Sequence, residues 1–129
     1  MNEKTADSLI KSALKKALEL EVNVCIAVVD DGAILKAFHR MDGAFKGSVD
    51  VAIGKAKTSA LFPLPTEDFG QLIRQENLTG MELSNNGLMG FAGGHPIMQQ
   101  GTQHGAIGIS GGSAEQDNEI ALFALSSLD

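Results

Sequence analysis

Apolar positions in the first twenty residues recur with a helical period. Ala6, Leu9, Ile10, Ala13, Leu14, Ala17 and Leu18 fall on one stripe, with Lys4, Lys11, Lys15 and Glu19 opposite. The spacing predicts an amphipathic helix over residues 4–20. Residues 23–30 (NVCIAVVD) are β-branched and almost continuously apolar, the pattern of a buried central strand. Asp30-Asp31-Gly32 is a turn signal and residues 33–40 resume as a strand, so the two form a hairpin. Simple alternation puts Leu35, Ala37 and His39 on one face of the second strand.

The next apolar stripe is Val51, Ala52, Ala56, Ala60 and Leu61, predicting a helix from a Ser48 N-cap to about Phe62. Lys55 falls one turn after Val51, close to its buried edge. It is expected to be solvated, or else to swing toward the Met41–Ala44 turn. Pro63 and Pro65 stop the helix, and Thr66 is placed to cap a short one over residues 67–75. A polar, turn-rich stretch follows to Gly87. Residues 88–92 and 96–99 read as a second hairpin around Gly93-Gly94-His95, with another turn at 101–103 and a last strand from His104 to Ser110. Ser113 and Gln116 form a capping box for a helix over 114–128. The expected fold class is α+β: one domain over 1–129, with a five-stranded antiparallel sheet between helices.

Composition narrows the function. The 129 residues carry a net charge of −6, six Phe, no Tyr and no Trp. A nucleic-acid partner is not expected, since that would need basic patches and stacking aromatics. No apolar run reaches membrane-spanning length, so no membrane partner is expected either. A single cysteine, Cys25, and no signal-peptide pattern point to a cytoplasmic protein.

Candidate chemistry gathers at the ends of the predicted strands. Arg40-Met41-Asp42-Gly43 combines a guanidinium fork, suited to carboxylate or phosphate, with turn chemistry. Gly93-Gly94-His95-Pro96 bends the chain and presents an imidazole, the most accessible-looking of His39, His95 and His104. Gly111-Gly112-Ser113 hands the last strand to a helix whose free N–H groups could meet an anion. Gly108-Ile109-Ser110-Gly111-Gly112 spells G-x-S-x-G, but no histidine follows it in the chain as a hydrolase elbow requires. The histidine spacings match no zinc pattern.

Residues 28–44 (VVDDGAILKAFHRMDGA), 55–60 (KAKTSA), 93–97 (GGHPI) and 105–112 (GAIGISGG) with Asp117 resemble, in order, the motifs of the GlcG/HbpS-like family. That family includes OrfY-type proteins of glycerol dehydratase operons, an extracellular haem-binding sensor component and the carboxy-terminal domain of some corrinoid adenosyltransferases. The resemblance implies a profilin-like three-layer α/β/α fold in a homo-oligomer. It also implies a small-molecule ligand, haem or a related tetrapyrrole or corrinoid, with a link to glycerol, diol or glycolate utilisation. The expected ligand-binding residues are Arg40, Met41, Asp42, Gly43, Lys55, Gly93, Gly94 and His95, with His95 the candidate axial ligand of haem. Two alternatives stand beside binding. One is an enzyme acting on a small carboxylate or aldehyde, with Arg40 as anchor and Lys55 or His95 as acid or base. The other is an accessory partner of a cofactor-dependent dehydratase.

Overall fold

A computed structural model of the chain describes residues 1–128. Helix α1 (Glu3–Glu19) is capped by Asn2, whose side-chain oxygen accepts from the Thr5 N–H at 2.8 Å. It buries Ala6, Leu9, Ala13 and Ala17, the predicted stripe. Strands β1 (Cys25–Asp30) and β2 (Leu35–Arg40) follow as the predicted hairpin. Its turn is held by Asp30 Oδ1, which accepts from the N–H groups of Gly32 and Ile34 at 2.9 and 3.0 Å. Then come α2 (Ser48–Leu61), α3 (Thr66–Gln75), a single 3-10 turn at Met81–Leu83, β3 (Gly94–Gln99), β4 (Thr102–Ser110) and α4 (Ala114–Ser126).

The sheet is antiparallel in the order β2-β1-β4-β3. One face carries Ile26, Val28, Ile97, Ile107 and Ile109 against α1 and α4, with Ile120, Ala121 and Ala124 from α4. The other carries Cys25, Ala27, Val29 and Ala106 against Ala52, Ala56 and Ala60 of α2. Helices therefore cover both faces of the sheet, and β1 is buried on both sides as its unbroken apolar run requires.

The sheet has four strands among the described residues, not the expected five. Residues 88–92 are apolar enough for a strand, but their backbone bonds go elsewhere. Leu88 N–H donates to Glu82 O, Met89 N–H to Thr58 Oγ1, and Phe91 O accepts from the Thr66 hydroxyl. Gly90 lies flat against Gly70 of α3, and a Cβ on Gly70 would strike the Gly90 carbonyl. The glycine in the middle of the run serves this backbone-on-backbone contact, so β3 pairs only with β4.

Three smaller expectations also shift. The last hairpin turns at Gln100-Gly101, both with positive φ (52° and 78°), rather than at 101–103, so β4 starts at Thr102. Gly47 and not Ser48 stands at the N-cap of α2, with no side-chain cap. A bulge between Val28 and Val29 sets Leu35 opposite Val29, which moves Leu35 off the face it was expected to share with Ala37.

Helix α2 sits unusually close to the sheet because both surfaces are built from small residues. A Cβ on Gly108 of β4 would run into the Ala52 carbonyl and come within 2.6 Å of the Ala56 nitrogen. Gly108→Ala is therefore expected to cost about 3 kcal/mol, the upper part of the usual overpacking range. Urea denaturation measures it; an unchanged midpoint would show that α2 does not bear on the sheet there.

Candidate functional site

The polar groups concentrate at one end of the sheet, where β1 begins and β4 ends. Lys55, in the middle of α2, is completely buried rather than solvated. The predicted Ala-rich stripe seats α2 so tightly that this lysine can only run along the sheet surface. Its Nζ donates to Ile109 O at 2.7 Å and lies 3.3 Å from Asp117 Oδ2 of α4. It also lies 4.7 Å from the centre of the Phe91 ring, a cation–π contact that roofs it over. The ammonium thus has a carbonyl, a carboxylate and an aromatic face around it.

Asp117 faces the other way as well. Its Oδ1 accepts from the Gly112 N–H at 2.9 Å. The Ser113 N–H is taken by Gln116 Oε1 at 2.9 Å, and Ser113 Oγ accepts from the Gln116 N–H, which completes the predicted capping box. Just before the start of α4, therefore, the Gly112 N–H is held by the Asp117 carboxylate, and the Ser113 and Gln116 N–H groups are held by the capping box. Burial pushes the Asp117 carboxyl above its ordinary range, opposed by Lys55 and by the Gly112 and Gly111 N–H groups. Burial likewise pushes Lys55 below its ordinary value, opposed by Asp117.

Gly93, with φ of 124°, brings the chain over this pair, and a Cβ there would lie 2.9 Å from Lys55 Nζ. Its carbonyl accepts from the Ile109 N–H at 2.9 Å. Gly94 packs on Thr66, whose hydroxyl accepts from the Gly94 N–H at 2.9 Å and donates to Phe91 O at 2.6 Å. Thr66 is thus the first residue of α3 and a latch for the glycine turn, not a helix cap. Among the described residues every buried side-chain nitrogen or oxygen has a partner.

The expected site residues divide into two groups. Lys55, Gly93 and Gly94 meet as described. Arg40, Asp42 and Gly43 stand at the same end of the sheet but on the far edge, with β1 and β4 between β2 and β3. β2 and β3 are three strand spacings apart, about 14 Å, while Lys55, bonded at Ile109 of β4, is two spacings, about 10 Å, from β2. Arg40 and Asp42 are exposed, while Met41 is buried, its sulfur accepting from the Val24 N–H at 3.3 Å. Gly43 takes φ of 84° against the Asn23 side chain.

His95 is buried rather than accessible, 8% exposed, with Nε2 2.7 Å from Asn118 Oδ1 of α4. His39 is exposed on the edge strand β2. His104 is half-buried at the opposite end of the sheet. It borders a cleft of about 620 Å³ between the β3–β4 hairpin and the last turn of α4, with Pro96, Met98, Leu125 and Leu128 along its walls.

The architecture and this glycine-lysine-aspartate arrangement span nearly the whole chain, and so does a family match: residues 1–126 fit the haem-degrading protein HbpS-like family. The chain belongs to the HbpS-like family. Its relatives include the uncharacterized 15.0 kDa protein of the dhaT-dhaS intergenic region of Citrobacter freundii, 35% identical over 93% of this chain and 86% of that one. Klebsiella pneumoniae ORFY superposes with a TM-score of 0.94 at 31% identity, covering 100% of this chain and 92% of the other. The PduOC:haem complex superposes with a TM-score of 0.93 at 29% identity, covering 100% and 95%. No helix among the described residues is long and apolar enough to cross a membrane.

Asp117, Phe91, Thr66 and Asn118 matter here in ways that pattern alone did not show. Phe91 and Thr66 carried no functional signal in the sequence. Asp117 entered only through the family resemblance, together with residues 105–112.

Removing one partner of the buried pair should expose its cost. Lys55→Met leaves the Asp117 carboxylate without its cation, and about 3–5 kcal/mol of stability is expected to be lost at pH 7.5. Asp117, already raised, then rises further. A carboxyl raised in the folded state favours folding at low pH and loses that contribution as pH climbs through its folded value. The deficit of Lys55→Met relative to wild type is therefore expected to narrow between pH 7.5 and pH 5. Urea denaturation at the two pH values checks this; a pH-independent deficit would mean Asp117 stays ionised throughout.

Proposed function

We propose that this HbpS-like protein binds a haem-type tetrapyrrole rather than catalysing a reaction on a small polar substrate. The carrying observation is the contrast between the two ends of the sheet. At the polar end Lys55 and Asp117 satisfy each other and Phe91 covers the lysine, which leaves neither free to exchange a proton with substrate. At the other end a cleft of about 620 Å³ lies open, within the range of roughly 300–1,000 Å³ typical of cofactor pockets. Apolar walls, an imidazole and the amides of Gln99 and Gln100 line it. Those groups suit a flat macrocycle with a central metal and carboxylate side chains. Haem, when bound, supplies an iron able to take ligands and change oxidation state; the chain supplies the slot. The haem complex of PduOC and the family's description support this reading.

Arg40 sustains a second reading. It is exposed and lies within 4 Å of no carboxylate among the described residues, as an anchor for a small carboxylate ligand must be. With Lys55 sealed and His95 held by Asn118, an acid or base beside that anchor is missing, which favours carboxylate binding over turnover. For partners, we propose self-association. Ile34 and Leu35 at the start of the edge strand β2 and Phe45 beyond its end are 68%, 45% and 73% exposed, and a second copy set along β2 would cover them. Service to a cofactor-dependent dehydratase fits the relative beside the dhaT gene.

Two measurements test these readings. Ferric haem titrated into the purified protein is expected to give a saturable Soret shift at one haem per chain, and the absence of saturation would reject the haem reading. Light scattering is expected to give a mass at least twice 13.5 kDa, and Phe45→Glu is expected to reduce it. A monomeric wild type would reject self-association.

A further inference from the structure

We infer that His104, and not His95, is the axial ligand for haem, which seats its macrocycle in the cleft between the β3–β4 hairpin and the C-terminal turn of α4. The inference rests on the haem reading above and assigns it a place and a ligating atom type.

Three imidazoles could serve. A ligating ring needs a nitrogen lone pair at the surface of an apolar slot wide enough for the macrocycle. His95 fails on both counts. The residue is 8% exposed, and Nε2 is engaged with Asn118 Oδ1 at 2.7 Å, so iron at that nitrogen would have to displace this contact with α4. His39 lies exposed on the outer edge strand β2, away from the cleft. The His104 ring makes no hydrogen bond among the described residues, and the residue is half-buried in the wall of the cleft of about 620 Å³.

The register explains why this ring sits at the cleft. Ile97 pairs with Gly105 and Met98 with Gln103, so His104 is the extra residue of a bulge. A bulged residue is released from the ladder and its side chain is re-aimed, a device common beside binding sites. Gly105 takes φ of 149° and backs directly onto the Val29 carbonyl, which fixes the strand behind the imidazole. The Gln100-Gly101 turn, both residues at positive φ, holds the hairpin tip in one conformation.

The rest of the cleft matches the macrocycle. Leu125 of α4, Leu128 just beyond it and Pro96 of β3 give apolar walls, while Gln99 and Gln100 offer amide N–H groups for carboxylate side chains. The last turn of α4 contains no basic residue, so its carbonyl end keeps its partial negative charge. A ferric porphyrin core, with one net positive charge, is favoured beside it.

The test compares ferric haem binding by wild type, His104→Ala, His95→Ala and Leu128→Glu, each first checked for a wild-type urea midpoint within error or corrected for it. Titrations read the Soret band, and electron paramagnetic resonance reads the imidazole-ligated iron signal. His104→Ala is expected to lose that signal and to bind at least tenfold more weakly, with added imidazole restoring the signal. Leu128→Glu is expected to weaken binding while keeping the signal, and His95→Ala to keep both. If wild type binds haem and His104→Ala keeps its spectrum and affinity, the inference falls while the haem reading stands. If His95→Ala alone abolishes the signal, the inference falls in favour of the ligand expected from the sequence. If wild type itself does not saturate, the haem reading fails and takes the inference with it.

Discussion

The Lys55–Asp117 pair is the constraint on which the rest of this fold depends. It joins α2 on one face of the sheet to α4 across the end of β4, through a strand carbonyl that belongs to neither helix. A lysine and an aspartate removed from water are costly, and on both partners burial outweighs their mutual attraction. Such a pair persists only where its remaining valences are met, and the surrounding chain is shaped to meet them. Gly112 donates to the carboxylate, Phe91 closes over the ammonium, and Gly93 leaves room for Nζ where any side chain would collide. Gly93 and Gly112 lie against the ion pair itself, while a Cβ on Gly94 would meet Thr66 and the Lys55 carbonyl, and one on Gly111 the Asn23 carbonyl. They do not form an empty cradle.

That arrangement changes what the polar residues can do. An open lysine beside a glycine turn would suggest a proton-transfer site or an anion pocket. With the Asp117 carboxylate bonded to the Gly112 N–H and to the lysine, and an aromatic ring over that lysine, the same residues become a clamp. At the charged end Lys55 and Asp117 are closed off by their own partners, while Arg40 and Asp42 stay exposed on the β2 side. A cleft lies open at the other end, where β3 ends, β4 begins and α4 finishes. Its walls carry Pro96, Met98, Leu125 and Leu128 together with the His104 imidazole and the Gln99 and Gln100 amides.

Much of the architecture was legible from periodicity because the core follows it. The α1 stripe, the doubly buried β1, the β1–β2 hairpin and the Ser113–Gln116 capping box each rest on local patterns that tertiary contacts leave intact. The candidate site was legible only in part. The motif residues Lys55, Gly93, Gly94 and Asp117 are gathered, but their closeness arises from α2 settling within backbone contact of β4 at Gly108, a long-range fact. The solvated reading of Lys55 failed for that reason: position on a helical stripe reports which side faces the sheet, not how near the sheet comes. Arg40–Gly43 ended on the opposite edge because sheet order, β2-β1-β4-β3, is not encoded in any one segment.

The missing fifth strand has the widest consequence. Residues 88–92 have the composition of a strand, but their polar backbone groups are satisfied by Thr58, Thr66 and Glu82 before any ladder can form. Because those groups are taken, nothing pairs with the outer side of β3 among the described residues. An edge strand presents a row of unpaired N–H and C=O groups. β3 carries such a row because five residues of neighbouring backbone found their partners in two threonine hydroxyls and the Glu82 carbonyl.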